Sequence, residues 1–273
     1  MRHSSPRVDD SLKTLERYAE AFRDLVNAKV WPAKGSPSKA LRLNSPSDWE
    51  FICVAMDVVG DAALAIADFL RFSLDGPTRY ENTGERYLRL YGLLSASYVQ
   101  QEAVRKLYAL MNCQSPKQVD ESFAQLDLRT LRHQVASHSV DYRVPGTTQL
   151  LSFVPVRIGL SGYSCMVTEG RGTSTRTVDL GEAVDTHCKA ISDVLDRIYA
   201  KSIRTLFRGQ NTKIAEFEAK LADLRAMRDG TLIIRAVVAG GSPSEIRVHL
   251  VAPAKSKRAT SQMKPRPRTR ARG

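Results

Sequence analysis

The sequence predicts a mainly α protein, an antiparallel four-helix bundle followed by a smaller region of β-meander and helix. Three observations carry that expectation. Apolar residues recur at helical spacing in the first half, as in Leu12, Leu15, Tyr18, Ala19, Phe22 and Leu25. One segment, "FICVAMDVVGDAALAIADFL", is apolar on most sides and belongs in the middle of a bundle. After Pro145-Gly146 the texture changes to short β-prone runs split by glycine-containing turns.

The first helix is expected from Asp10 to Ala28, closed by the loop "WPAKGSPSK". A second starts near Ser47, where Ser47 and Glu50 have capping-box spacing and Ser45-Pro46 adds a start signal, and runs to about Phe72. Its Asp57, Asp61 and Asp68 fall on one stripe. A metal site there would need His or Cys ligands at suitable spacing, and none is near. The stripe is therefore expected to be part-exposed or paired with arginines of adjacent helices.

The third helix covers about Glu85 to Met111. Leu93, Ala96, Gln100, Ala103, Leu107 and Leu110 form its core face. A second face carries Tyr87, Tyr91, Leu94, Tyr98, Gln101, Arg105 and Tyr108. It is read as a helix–helix or subunit seam in preference to a ledge for stacking bases. Ser115-Pro116 opens the fourth helical stretch, which continues, with a break near Asp127, into "LRTLRHQVASHSVDYR".

"TQLLSFVPVRI", "GYSCMVTEGR" and "STRTVDL" then predict a three-stranded meander. Asp179 and Glu182 cap a long helix from about Gly181 to Phe207. Ile214, Phe217, Leu221 and Leu224 form the seam of another that stops at Gly230. "TLIIRAVVA" and "SEIRVHLVA" suit a closing hairpin. The expected organisation is a helical bundle over residues 1–146, an accessory region over 147–252 that is free to pack on it, and a disordered basic tail over 253–273.

A hydrophobic share of 42% and a charged share of 26% are those of an ordinary soluble globular protein. No run of 18 apolar residues exists, and the N-terminal "MRHSSPRVDD" lacks the apolar core of a secretory signal, so a cytoplasmic protein without a membrane partner is expected. Cys53, Cys113, Cys165 and Cys188 are far apart and read as buried or half-buried thiols. Of 41 basic residues, eight lie in residues 251–273, which hold no acid. Without them 33 basic residues face 29 acidic ones, so the net charge of +12 falls to +4. The tail reads either as a segment that binds RNA phosphates or as a solubilising terminus.

No phosphate-cradling glycine loop and no G-x-S-x-G elbow occur. Chemistry-bearing residues concentrate instead at Arg132, His133 and His138. Two bland readings exist: the wet face of an amphipathic helix, and, for His138, a helix-end histidine bonded to a carbonyl. The sharper reading is phosphodiester cleavage of RNA. An arginine clamps a phosphate and stabilises the extra charge of the transition state, while a histidine moves protons near neutral pH. RNA supplies its own nucleophile, so no cofactor and no metal are expected. On a straight helix Arg132 and His138 lie about 120° apart around the axis and about 9 Å along it. A twofold pair of chains, pooling Arg132 and His138 from both, resolves that separation. His187 and His249 have no comparable company and receive no role.

"LRHQVASHSVDY", together with the preceding "RYLRLYGLLSASYVQQEAV", resembles the HEPN superfamily over roughly Leu12 to Tyr142. The signature is an Arg followed after four to six residues by His, usually with a polar residue directly after the Arg. Arg132, His133 and His138 match its three positions. The resemblance implies a homodimeric, metal-independent endoribonuclease acting on single-stranded or loop RNA, with Arg132 and His138 catalytic and His133 orienting. Such proteins occur in toxin–antitoxin and anti-phage defence systems, with an antitoxin or regulatory protein as partner. The superfamily also contains non-catalytic dimeric interaction and RNA-binding modules. Toxin members that carry a regulatory tyrosine two residues after the His are not matched, because that position is Val140 and Tyr142 lies two further on.

If Lys255 to Arg272 neutralises RNA phosphates, deleting residues 254–273 weakens RNA binding and flattens its salt dependence. The slope falls by about 0.7 for each phosphate no longer neutralised on single strands. Binding isotherms at two or more salt concentrations check this, and an unchanged affinity at all of them removes the tail from RNA binding.

Overall fold

Side-chain caps at Ser36, Asn82 and Asp179 each start a helix. The computed structural model describes residues 6–78, 81–170, 172, 174–236 and 244–249, and the basic tail expected over 253–273 lies outside them. Helix α1 spans Pro6–Val30, a short α2 spans Pro37–Ala40, and α3 spans Asp48–Phe72. The capping box expected at Ser47 does not form, because Ser47 already has helical backbone angles and its side chain makes no cap bond. The carboxylate of Asp48 accepts instead from the Ser45 amide at 3.0 Å. Helix α4, Thr83–Leu110, is capped by Asn82, whose side-chain oxygen accepts from the Glu85 amide.

The fourth helical stretch is divided. It consists of α5 (Pro116–Ala124), α6 (Asp127–Arg132) and a π-helical turn over His133–Ser137. The break falls near Asp127, as expected; the π turn inside the motif was not. Next come the two-residue strands β1 (Tyr142–Arg143) and β2 (Leu150–Leu151), which pair with each other. The meander β3 (Phe153–Ser161), β4 (Ser164–Glu169) and β5 (Thr175–Asp179) is antiparallel in that order. Asp179 caps α7, Leu180–Leu206, by accepting from the Glu182 amide at 3.0 Å. Helix α8 spans Asn211–Arg228, and β6 (Thr231–Ala236) pairs antiparallel with β7 (Ser244–His249).

The described residues up to Asp229 form one compact unit, and those from Gly230 a second. Within the first, α1 packs on α3 and α7, and α4 packs on α3 and α7. The long helix read from sequence as part of an accessory region is therefore a core element. Its buried side runs Leu180, Val184, Cys188, Ile191, Leu195, Ile198, Tyr199, Ile203 and Leu206. It faces Leu15, Tyr18, Phe22 and Leu25 of α1 within one continuous apolar core.

The meander is pinned to the end of α3. The Gly162 amide donates to Asp75 at 3.0 Å, the Leu74 amide donates to the Gly162 carbonyl, and the Tyr163 hydroxyl donates to the Leu70 carbonyl. Gly162 takes a φ of +56°, a conformation that favours glycine at this tight turn. On α3, Asp57 pairs with Arg23 and Asp68 with Arg89, the arginine partners on adjacent helices that the aspartate stripe called for. All four cysteines are free thiols, Cys165 and Cys188 fully buried. No helix among the described residues is long and apolar enough to cross a membrane.

One polar cluster ties α1, α7 and α8. Asp196, almost fully buried, accepts from the Tyr18 hydroxyl at 2.9 Å and from Arg225 Nε and Nη2 at 2.8 and 2.7 Å. Burial would raise the Asp196 pKa, but the bonds from Arg225 and Tyr18 outweigh it and hold the carboxyl below its ordinary value. Its contribution to stability is complete above the unfolded carboxyl value of about 3.9 and fades as the pH falls through the lower folded value. Asp196→Ala is expected to cost about 2–3 kcal/mol at neutral pH, less than a fully buried pair because Arg225 is half exposed. Denaturant titrations of both proteins check this, and the gap between them narrows in acid.

Candidate active site

The motif residues converge on one aromatic ring. Tyr98, on the middle of α4, lies under the guanidinium of Arg132, whose Cζ is 3.7 Å from the ring centroid, and near that of Arg129, at 5.0 Å. Arg129 and Arg132 are three residues apart on α6, so both side chains leave the same face and reach the same ring. The imidazole of His133 meets Tyr98 edge-on, with centroids 6.0 Å apart. Tyr98 therefore offers its face to cations, as the negative face of an aromatic quadrupole does. The sequence had placed Tyr98 in a seam; its neighbour on that face, Tyr87, donates to the Pro155 carbonyl of the meander.

The π turn decides how the two histidines meet. The His138 amide donates to the His133 carbonyl at 2.9 Å, a closure over five residues rather than four. Residues five apart then share a face. The His133 and His138 rings lie 6.2 Å apart at an interplanar angle of 27°. The ideal α-helix assumed for the motif is thus corrected at His133. π turns are rare and are frequent at functional sites. The turn is held from outside by Arg176 of β5, whose Nη2 donates to Oε1 of the buried Gln134 at 2.6 Å.

His133 and His138 open on a shallow groove of about 500 Å³, lined further by Asp141, Tyr142, Arg143 and Leu150. His138 is about half exposed, and its Nδ1 lies 3.4 Å from Asp141 Oδ1. Arg132 is not part of the groove lining, so one chain brings Arg132, His133 and His138 together through Tyr98 without aiming all three at one point.

The electrostatics are unbalanced in favour of positive charge. Arg129 Nη1 is compensated by Glu102 at 3.2 Å. Arg132 has no acidic partner among the described residues. Burial first, then Arg129, Arg132 and His138, depress the His133 pKa, so this ring stays neutral where a free histidine begins to charge. Among the described residues no group of three or more His, Cys, Asp or Glu side chains is placed to hold a metal ion. Sequence reasoning passed over Arg129, Asp141 and the role of Tyr98. The signal for the first two was spacing alone, Arg129 one turn before Arg132 and Asp141 one turn after His138.

The chain matches no family model, no curated protein and no solved structure.

Arg132→Gln removes one of the charges that depress His133. Its titration midpoint, followed by NMR, is expected below about 6.5 in the native protein and closer to that value in the variant. An unmoved midpoint would show that Arg132 does not sit against this histidine in solution.

Proposed function

We propose that the chain is a metal-independent endoribonuclease of HEPN type, built on an antiparallel four-helix bundle and cleaving single-stranded or loop RNA. The observation that carries the reading is the setting of Arg132: a guanidinium without an acidic partner among the described residues, laid on Tyr98 next to His133, with His138 stacked beyond. Such a cation is available to an incoming phosphate. His138, oriented by Asp141, removes the proton of the 2′-hydroxyl or returns one to the leaving 5′-oxygen. The attacking oxygen bonds to phosphorus, the P–O5′ bond breaks, and a 2′,3′-cyclic phosphate remains. His133 orients rather than transfers. Dimerisation supplies the missing alignment, because a second copy brings its own Arg132 and His138 to a shared cleft. A toxin or anti-phage setting, with an antitoxin or regulatory protein restraining the activity, is what the HEPN resemblance implies.

A second reading is a non-catalytic dimeric interaction or RNA-binding module. It is favoured by the separation of Arg132 from the groove that His138 lines. Exposed apolar side chains on α3 and α4, including Phe51, Val54, Leu88 and Val99, point the same way.

Cleavage of total RNA by the purified protein separates the two. Under the nuclease reading it survives EDTA, fails on substrates lacking the 2′-hydroxyl, and leaves cyclic phosphate ends. His138→Ala and Arg132→Ala each lower the rate by about two to four powers of ten, and His133→Ala by less. Metal-dependent cleavage, or full activity in His138→Ala, overturns the assignment.

A further inference from the structure

We infer that Gln101, held in place by the buried His187 of α7, is a positioning residue for the arginine pair at the site. Gln100, Gln101 and His187 are all fully buried. Gln100 Nε2 donates to the Val59 carbonyl of α3 at 2.8 Å. That carbonyl can only accept, so the amide must present its Nε2 to α3 and its Oε1 to His187. His187 Nε2 lies 2.8 Å from that Oε1 and must be the protonated nitrogen. Nδ1 is then an acceptor, and Gln101 Nε2 donates to it at 3.3 Å. Gln101 is left with its Oε1 facing outward, where Arg129 Nη1 donates to it at 3.0 Å.

Every orientation in this chain follows from its two ends, a carbonyl that only accepts and a guanidinium that only donates. Burial pushes the His187 pKa down to about 3, so protonation does not reverse the direction at ordinary pH. The arrangement is more than filling. A buried polar group left without its partner is costly, and three apolar side chains would pack the same space without that risk. What the polar chain adds is a second, buried acceptor for Arg129 Nη1 beside Glu102 at 3.2 Å, so that the guanidinium is held from two sides. Arg129 rests on Tyr98 beside Arg132 and helps to depress His133. Holding one guanidinium at the ring limits where its like-charged neighbour can lie. A helix from the second half of the chain thereby reaches into the geometry of the motif.

The effect on turnover rests on the nuclease reading, whereas the effect on Arg129 rests on geometry alone, and the test separates them. Gln101→Met removes the bonds to His187 and Arg129. Gln100→Met removes the bonds to Val59 and His187 but leaves Arg129 held. Both variants lose thermal stability. In Gln101→Met the NMR titration midpoint of His133, which faces Arg129, Arg132, His138 and Tyr98, is expected to rise toward its ordinary value, and in Gln100→Met to stay within error of the native protein. On RNA, Gln101→Met is expected to lower kcat about ten- to a hundredfold, as misplacement near a site does, with Gln100→Met within about twofold. If Gln101→Met does not fold, Gln101→Asn, which withdraws the amide by one methylene, serves in both measurements. Equal His133 midpoints in the two variants, or rates that fall in parallel with stability in both, overturn the inference. A protein that cleaves no RNA yet shows the His133 shift would retain the relay and lose the nuclease reading.

Discussion

Burial of α7 against its neighbours is the interaction on which the other elements depend, because this one helix packs on α1, α4, α5, α6, α8 and β5. Its apolar residues recur every three or four positions over seven turns. Each fully buried Leu, Ile or Val contributes roughly 1.5–3 kcal/mol relative to exposure. No short segment around the motif could assemble a comparable surface. Helix α6 is six residues long and has no independent stability in water. It is held because Leu128 and Leu131 enter the same core that α7 closes. The position of the arginines thus follows from a helix that begins about fifty residues later.

That dependence explains why the site tolerates concentrated positive charge. Two guanidiniums share one tyrosine ring with the edge of His133, and like charges so close repel one another. The repulsion is met by Glu102 on Arg129, by Asp141 near His138, by the ring of Tyr98, and by burial that keeps His133 neutral. Arg132 alone of this group is met only by an aromatic face. A cation–π interaction of this kind is worth about 0.5–1 kcal/mol at an exposed site, less than a bidentate phosphate offers.

Most of the helical fold was legible in the sequence because helix periodicity is a local signal. The long helices, the break near Asp127, the meander and the Asp179 cap each depend on residues within a few positions of one another. Three features were not legible, for physical reasons. Ser47 and Glu50 have capping-box spacing, yet Ser45-Pro46 feeds the chain in with Ser47 already helical, leaving its hydroxyl nothing to cap. The π turn at His133–Ser137 is bonded through Gln134 to Arg176, on a strand more than forty residues away. Gln100 reads as part of a core face, Gln101 as part of the tyrosine face and His187 as an isolated histidine; only the packing of α4 on α7 makes them one cluster.

A motif of seven residues specifies types and spacing, and spacing becomes geometry only through the backbone that carries it. Had Arg132 to His138 remained a straight α-helix, the two side chains would point about 120° apart, and the second histidine would leave the first. Closing the turn over five residues instead stacks His133 on His138 and places Asp141 within reach of His138. The turn is bonded by Arg176 from the meander, and Arg129 is bonded by Gln101, which His187 of α7 holds. Both supports come from the half of the chain that carries no recognisable motif. The site is therefore a property of the whole unit up to Asp229 rather than of its first half, and a fragment ending near Tyr142 would keep the motif's letters without the bonds that give them a shape.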